Sequence, residues 1–184
     1  MEPPIPGDSG LGLFVPAEVN ESINRWRRAY DPHYRTIAPH VTVAYPPFVP
    51  EAHWPQVRPA LADCLRAFPS FTITLRELDT FPGDPYHVLW LRPEDDGSLL
   101  RLRAALEEQF PDYVLPLPFD RYIPHTTVGF FKDPAALAGA QAVIRAEMRA
   151  EMTPLRFPVH ELIYMVLDDD GVWRLRDRLP LDSG

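Results

Sequence analysis

One pentapeptide pattern occurs twice in this chain, as Pro39-His40-Val41-Thr42-Val43 and as Pro124-His125-Thr126-Thr127-Val128. Both copies lie in runs rich in β-formers, from about Ile37 to Tyr45 and from about Arg121 to Phe131, so each reads as a strand. On a strand, residues i and i+2 project from the same face. Each copy therefore presents an imidazole beside a hydroxyl, while Val41 or Thr126 points the other way. Two such strands brought near each other make a cavity into which two histidines and two hydroxyls converge. The repetition also hints at an internal duplication with a pseudo-twofold axis.

The surrounding pattern fits two related halves. Leu11 to Val15 is a short apolar strand ended by Pro16, and residues 17–30 carry Val19, Ile23, Trp26 and Tyr30 on one helical face. A second helix is expected from about Trp54 to Phe68, then strands at Phe71–Leu75 and Tyr86–Leu91. Leu99, Leu102, Leu106 and Phe110 mark a third helix, and Pro134 to about Met152 a fourth, with Pro134 in its first turn. Val159–Leu167 and Val172–Leu179 flank the turn Asp168-Asp169-Asp170-Gly171 as a hairpin. The mixture predicts an α+β fold with largely antiparallel pairing. No Gly/Ser linker divides the chain, so residues 11–179 are expected to form a single domain of two lobes, with residues 1–10 as a flexible tail.

Composition narrows the functions available. The 184 residues include 23 prolines, which favours short elements and many loops. Lysine and arginine number 18 against 26 acidic residues, a net charge of −8, with Lys132 the only lysine. A protein that coats nucleic acid through many phosphate contacts carries a basic excess or face, so any nucleotide here is expected to be held locally in a pocket. The single cysteine, Cys64, leaves no internal disulfide and no cysteine metal cluster. The opening residues lack the basic start and apolar run of a signal peptide, and no apolar stretch approaches a membrane span. The expectation is a cytoplasmic protein with no membrane association.

Two histidines and two hydroxyls suit attack at phosphorus without a metal. A neutral imidazole takes a proton from water or a 2′-hydroxyl, and a protonated one gives a proton to the departing oxygen. Threonine hydroxyls donate to the non-bridging oxygens and hold the developing charge. A lone His-x-Thr is common and carries little; two copies in the same frame, each after proline and before valine, carry much more.

With these motifs the chain resembles the two-histidine (2H) phosphoesterase superfamily, which includes the bacterial 2′-5′ RNA ligase-like proteins and RNA 2′,3′-cyclic phosphodiesterases. The likeness rests on Gly12-Leu13-Phe14-Val15-Pro16 before a helix, on Ala38 to Pro46, and on Ile123 to Val128, and it runs from about Leu11 to Leu179. It implies a bilobal fold with antiparallel sheets around a central cleft, and opening of 2′,3′-cyclic phosphates of RNA ends or nucleotides, commonly to 2′-phosphates. It implies no cofactor and no metal, and the chain is expected to act as a monomer. The same acid–base pair could also seal or cleave 2′-5′ bonds. By this resemblance His40 is the acid, His125 the base, and Thr42 and Thr127 the phosphate-binding hydroxyls of the HxT motifs. Ligase-like members often carry arginine five residues after the second histidine; here Phe130 stands there, and Tyr45 holds the equivalent place after the first. Both aromatics are candidates for stacking a base, with strand-end packing as the alternative. Arg35 and Arg121, near the motifs, are candidate phosphate anchors, although surface placement is the default for each. A nucleotide- or RNA-end-binding module with little turnover is the competing reading.

The remaining candidates carry less. His33, His53, His87 and His160 lack a paired hydroxyl in a matching frame and read as surface or packing residues. Arg25, Arg27 and Arg28 read mostly as the solvated face of a helix, with a small basic rim as the alternative. The acidic runs at Glu94–Asp96 and Asp168–Asp170 read as solvated turns rather than cation sites. Cys64 falls on an apolar helix face and reads as buried and inert.

Overall fold

The computed structural model describes residues 3–114, 121–151 and 155–182. In chain order the elements are β1 (Ser9–Phe14), α1 (Ala17–Tyr30), β2 (His40–Ala44), a 3₁₀ turn (Glu51–His53), α2 (Trp54–Leu65), β3 (Phe71–Phe81) and β4 (His87–Glu94). They continue as α3 (Ser98–Gln109), β5 (Thr126–Phe131), α4 (Pro134–Ala150), β6 (Leu155–Val159), β7 (Glu161–Leu167) and β8 (Trp173–Pro180). The strands form two four-stranded sheets, ordered β2-β1-β7-β8 and β5-β4-β3-β6. Every ladder within them is antiparallel, so the fold is α+β as expected.

Each sheet contains the same unit: a strand, a helix and an antiparallel return strand. It is β1–α1–β2 in one and β4–α3–β5 in the other. In both, the return strand lies at the sheet edge; β2 begins with His40, and β5 begins one residue after His125 and carries Thr127. An edge strand leaves backbone groups without ladder partners. Here β2 and β5 lie close to each other, and α1 of the first unit packs on β5 of the second. The Tyr122 hydroxyl donates to the Thr42 carbonyl and Arg103 Nη1, on α3, donates to the Val43 carbonyl, each at 2.8 Å. Groups from the second unit thus hold the histidine strand of the first.

Local sequence accounts for these placements. In α1 the apolar stripe buries Ile23 and Trp26, and Pro32 follows its last turn. Pro134 opens α4, whose N-cap Asp133 accepts from the Ala135 backbone N–H at 3.0 Å. Gly129 lets α1 approach β5: a Cβ there would stand 2.5 Å from Tyr30 Cβ. The core is lined from both sheets by Leu11, Leu13, Val41, Leu89, Leu91 and Val128, all essentially removed from solvent. Each such side chain contributes about 1.5–3 kcal/mol on burial.

Several boundaries differ from the sequence expectation. β1 starts at Ser9, so buried Ser9 and Gly10 belong to the sheet and not to a tail over residues 1–10. β3 runs on to Phe81, and β5 begins only at Thr126. Leu155–Val159 is a separate edge strand, β6, paired with β3, which the sequence reading did not mark and which takes Val159 from the expected Val159–Leu167 strand. Pro158 disguises it, and the edge position tolerates that proline. The expected fourth-helix end at about Met152 lies outside the described residues. Among the described residues, no helix is long and apolar enough to cross a membrane.

Candidate active site

Simple alternation would place His40, Thr42 and Ala44 on one face of β2 and Tyr45 on the other. A β-bulge changes this. In the β1–β2 ladder Gly12 stands opposite Thr42 and Leu11 opposite Ala44, which leaves Val43 as the extra residue. Beyond it, Tyr45 joins the face of Thr42. The same device recurs in β5, where Trp90 pairs with Thr127 and Leu89 with Gly129, so that Val128 is extra and Phe130 joins the face of Thr127.

These faces border a cavity of about 300 Å³. His40, Thr42 and Tyr45 line it from β2, Thr127 and Phe130 from β5, and Arg27, Asp31 and His33 from the end of α1 and the loop beyond. His125 precedes Thr127 by two positions on the same extended segment and is near enough for its charge to bear on His40. The structure therefore brings His40, both threonines and both aromatics picked out in the sequence to one cavity wall, with His125 two residues before Thr127 and outside the lining itself.

The imidazoles are anchored alike. His40 Nδ1 lies 2.9 Å from the Ala38 carbonyl, and His125 Nδ1 lies 2.9 Å from the Ile123 carbonyl. A carbonyl only accepts, so Nδ1 carries the proton and the neutral ring keeps Nε2 bare. Each ring is also braced by aromatics: Phe14 beside His40 at 5.6 Å, and Phe81 edge-on to His125 at 5.0 Å with Trp90 at 5.9 Å. Each Nε2 can thus take a proton, or give one once loaded.

Burial governs the charge state of both rings. The half-buried position of His40 in the cavity wall pulls its pKa down to about 4; the charges of Arg27 and His125 act the same way, against the Ala38 carbonyl and Asp31. Burial also lowers His125, opposed by the Ile123 carbonyl. Tyr45 is pushed up to about 12, and Tyr122 also upward, both chiefly by burial, so both hydroxyls stay protonated near neutrality.

The sequence reading missed one component. Arg27 is not on a solvated face: it is 2% exposed, and its Nε donates to Asp31 Oδ2 at 2.7 Å. Asp31 is equally buried and its Oδ1 accepts from the His33 backbone N–H at 2.8 Å. The signal was present, since Arg27 lies four residues after Ile23 and beside Trp26, on the apolar stripe itself. His33, read as a surface or packing residue, lines the cavity and meets Phe130 edge-on at 5.5 Å.

Other candidates fall outside the cavity wall. Arg35 lies on its neighbour Tyr34, with Nε donating to that hydroxyl at 2.7 Å, and Arg121 is exposed. His53 packs on Tyr113, and His160 Nδ1 meets Ser70 Oγ at 3.1 Å. Asp95 and Asp96 accept hydrogen bonds at the start of α3, while Asp168 and Asp170 pair with Arg174. Cys64 is buried, which raises its thiol pKa. Among the described residues, no three His, Cys, Asp or Glu side chains gather as a metal site.

The chain has known relatives in sequence and in fold. Over 169 residues the chain is 25% identical to a protein of Geobacillus kaustophilus named provisionally as a phosphoesterase, covering 89% of this chain and 90% of that protein. Its fold is similar to that of Escherichia coli LigT crystallised with 3′-AMP, with a TM-score of 0.67, 20% identity and coverage of 96% and 99%. A protein of Thermus thermophilus is similar at a TM-score of 0.64 and 22% identity, covering 95% of this chain and 98% of its own. The sequence model of the 2′-5′ RNA ligase superfamily matches residues 15–171. The chain belongs to the 2′-5′ RNA ligase superfamily, the two-histidine phosphoesterases.

Proposed function

We propose that this protein is a phosphodiesterase that opens 2′,3′-cyclic phosphates of nucleotides or RNA ends to 2′-phosphates with no metal in the reaction. His125 Nε2 takes a proton from water as the water oxygen attacks phosphorus. His40 enters with Nε2 protonated and gives that proton to the departing 3′ oxygen, so the site ends with the proton moved from one ring to the other. Thr42 and Thr127 donate to the non-bridging oxygens, whose charge builds in the transition state. Tyr45 and Phe130 supply flat walls for the base. What supports this reading is the paired geometry: two rings anchored through Nδ1, each with Nε2 available and each two residues before a hydroxyl on the cavity face. E. coli LigT has been crystallised with 3′-AMP, ATP and NADP+, and a nucleotide guest here would be in keeping with that.

The burial of His40 has a consequence for how the acid is loaded. In the empty site its protonated form is disfavoured at neutral pH. A phosphodiester anion entering the cavity offsets that cost, so substrate and proton bind together. The test is turnover of uridine 2′,3′-cyclic phosphate with EDTA present, the product being separated against 2′- and 3′-phosphate standards. Formation of the 2′-phosphate is expected. Folded protein that binds the nucleotide without turnover would replace this reading with that of a binding module, and a 3′-phosphate product would reverse the bond that breaks.

A further inference from the structure

We infer that the buried Arg27–Asp31 pair positions the acid of this site: it shapes the loop between α1 and β2 so that the Ala38 carbonyl holds the His40 ring, and it keeps a carboxylate in the same cavity wall as that ring. This rests on the phosphodiesterase reading and deepens it. A pair so placed needs a reason other than stability. Arg27 and Asp31 are 2% and 5% exposed, and the cost of taking two charges out of water largely offsets their attraction. An apolar side chain at position 27 would simply continue the stripe of Ile23 and Trp26.

The first observation is what the pair holds. The connection from Asp31 to Pro39 contains Pro32 and Pro39, which lack an N–H, so its backbone has fewer ties to offer. Asp31 supplies them instead. Its Oδ2 accepts from Arg27 Nε at 2.7 Å and its Oδ1 from the His33 N–H at 2.8 Å. The His33 carbonyl then gathers the next turn, accepting from the Thr36 N–H at 2.9 Å, the Thr36 hydroxyl at 3.0 Å and the Ile37 N–H at 3.2 Å. Arg27 Nη2 reaches the same carbonyl at 3.5 Å. Beyond it, the Thr36 carbonyl accepts from the Trp173 N–H at 2.8 Å and the Pro39 carbonyl from the Val15 N–H at 2.9 Å. Ala38 lies between these two anchors, and its carbonyl holds His40 Nδ1.

The second observation is which charges face the ring. Among the described residues that line the cavity, Asp31 is the only carboxylate and Arg27 the only arginine or lysine. His33 joins them from the same loop, Tyr45 comes from the strand of His40 itself, and the charge of His125 bears on His40 from the segment before β5. Tyr122 and Arg103 reach the β2 backbone from the second unit. Both tyrosines stay neutral near neutrality, and Arg27 and His125 act against a further positive charge on His40. Asp31 is the charged group that favours it. The proton destined for the departing oxygen therefore depends on this carboxylate, which Arg27 holds in place.

The experiment compares the wild type with Asp31→Asn and with the double variant Arg27→Gln/Asp31→Asn. Asparagine keeps an oxygen for the His33 N–H and gives up the charge. Two readouts are taken: the NMR titration of the His40 ring, and the alkaline fall of kcat for uridine 2′,3′-cyclic phosphate, which reports the acid in the complex. In Asp31→Asn both should move to lower pH by about one unit. In the double variant both should return to the wild-type position or slightly above it, because Arg27 acts on His40 more strongly than Asp31 does. Its kcat at the optimum should still be about tenfold lower, since the loop has lost its tie to α1. A titration and a profile that stay in place in Asp31→Asn would make the pair merely structural and overturn the inference. Should that variant not fold, the double variant, with no charge left buried at the pair, decides: wild-type kcat in it would overturn the inference equally. No turnover by the wild type would bring down the phosphodiesterase reading, and the ring titration would still show whether Asp31 governs the His40 proton.

Discussion

The two histidine strands are alike in construction and unlike in surroundings. β2 and β5 are both edge strands, both bulge one residue after the threonine, and both fix their imidazole through the carbonyl two residues earlier. Around His40, however, stand the buried Arg27–Asp31 pair and a strand held by Tyr122 and Arg103 from the other unit. Around His125 stand Phe81 and Trp90. In the proposed mechanism the repeat supplies two copies of one proton-transfer device, and the packing of each copy gives it a different electrostatic setting. Identical parts can take opposite roles because their environments, not their sequences, set their protonation.

The strongest test of the similarity removes one device at a time. His40→Ala and His125→Ala should each lower kcat by about 10²–10⁴-fold with melting temperature essentially retained. The double variant should be little worse than either, because the two act in one step. A variant that kept more than about a tenth of wild-type kcat would show that the two strands are not equivalent partners.

A pH profile sharpens the difference between them. Both rings are lowered from the ordinary histidine value, His40 to about 4. The free enzyme therefore holds a proton on this pair less readily at neutral pH than two ordinary histidines would. kcat/KM for a uridine substrate, whose base does not titrate there, should peak on the acid side of 6.5 and fall about tenfold per pH unit above the higher of the two values. A maximum at or above pH 8 would contradict the desolvated setting of both rings.

The smallest effect is expected from Tyr122→Phe, which removes only the bond to the Thr42 carbonyl on the His40 side. It should cost about 1–3 kcal/mol of stability by leaving that carbonyl without its partner. It should lower kcat by a few-fold with little change in KM, since the aromatic walls remain. An equal loss in KM would mean that Tyr122 meets the substrate itself.

Much of this was legible in the sequence, for reasons that can be named. His40, Thr42, His125 and Thr127 could be read because strand alternation is local and the motif is repeated. The α+β class followed from helical stripes such as Ile23 and Trp26 set among short β runs. Tyr45 and Phe130 could be singled out by position, yet their facing required the bulges at Val43 and Val128, which depend on the partner strand's register. Arg27 escaped because a charged residue on an apolar stripe is usually displaced outward, and only Asp31 one turn later makes its burial affordable. The edge strand β6 escaped because Pro158 breaks the pattern by which strands are recognised.

The division of labour between the rings can be measured directly with a cyclic substrate in which sulfur replaces the bridging 3′ oxygen. A thiolate leaves without a proton, so the acid becomes dispensable while the base does not. The account predicts that His40→Ala regains most of the wild-type rate on the sulfur substrate and that His125→Ala stays inactive. Rescue of His125→Ala in place of His40→Ala would contradict it.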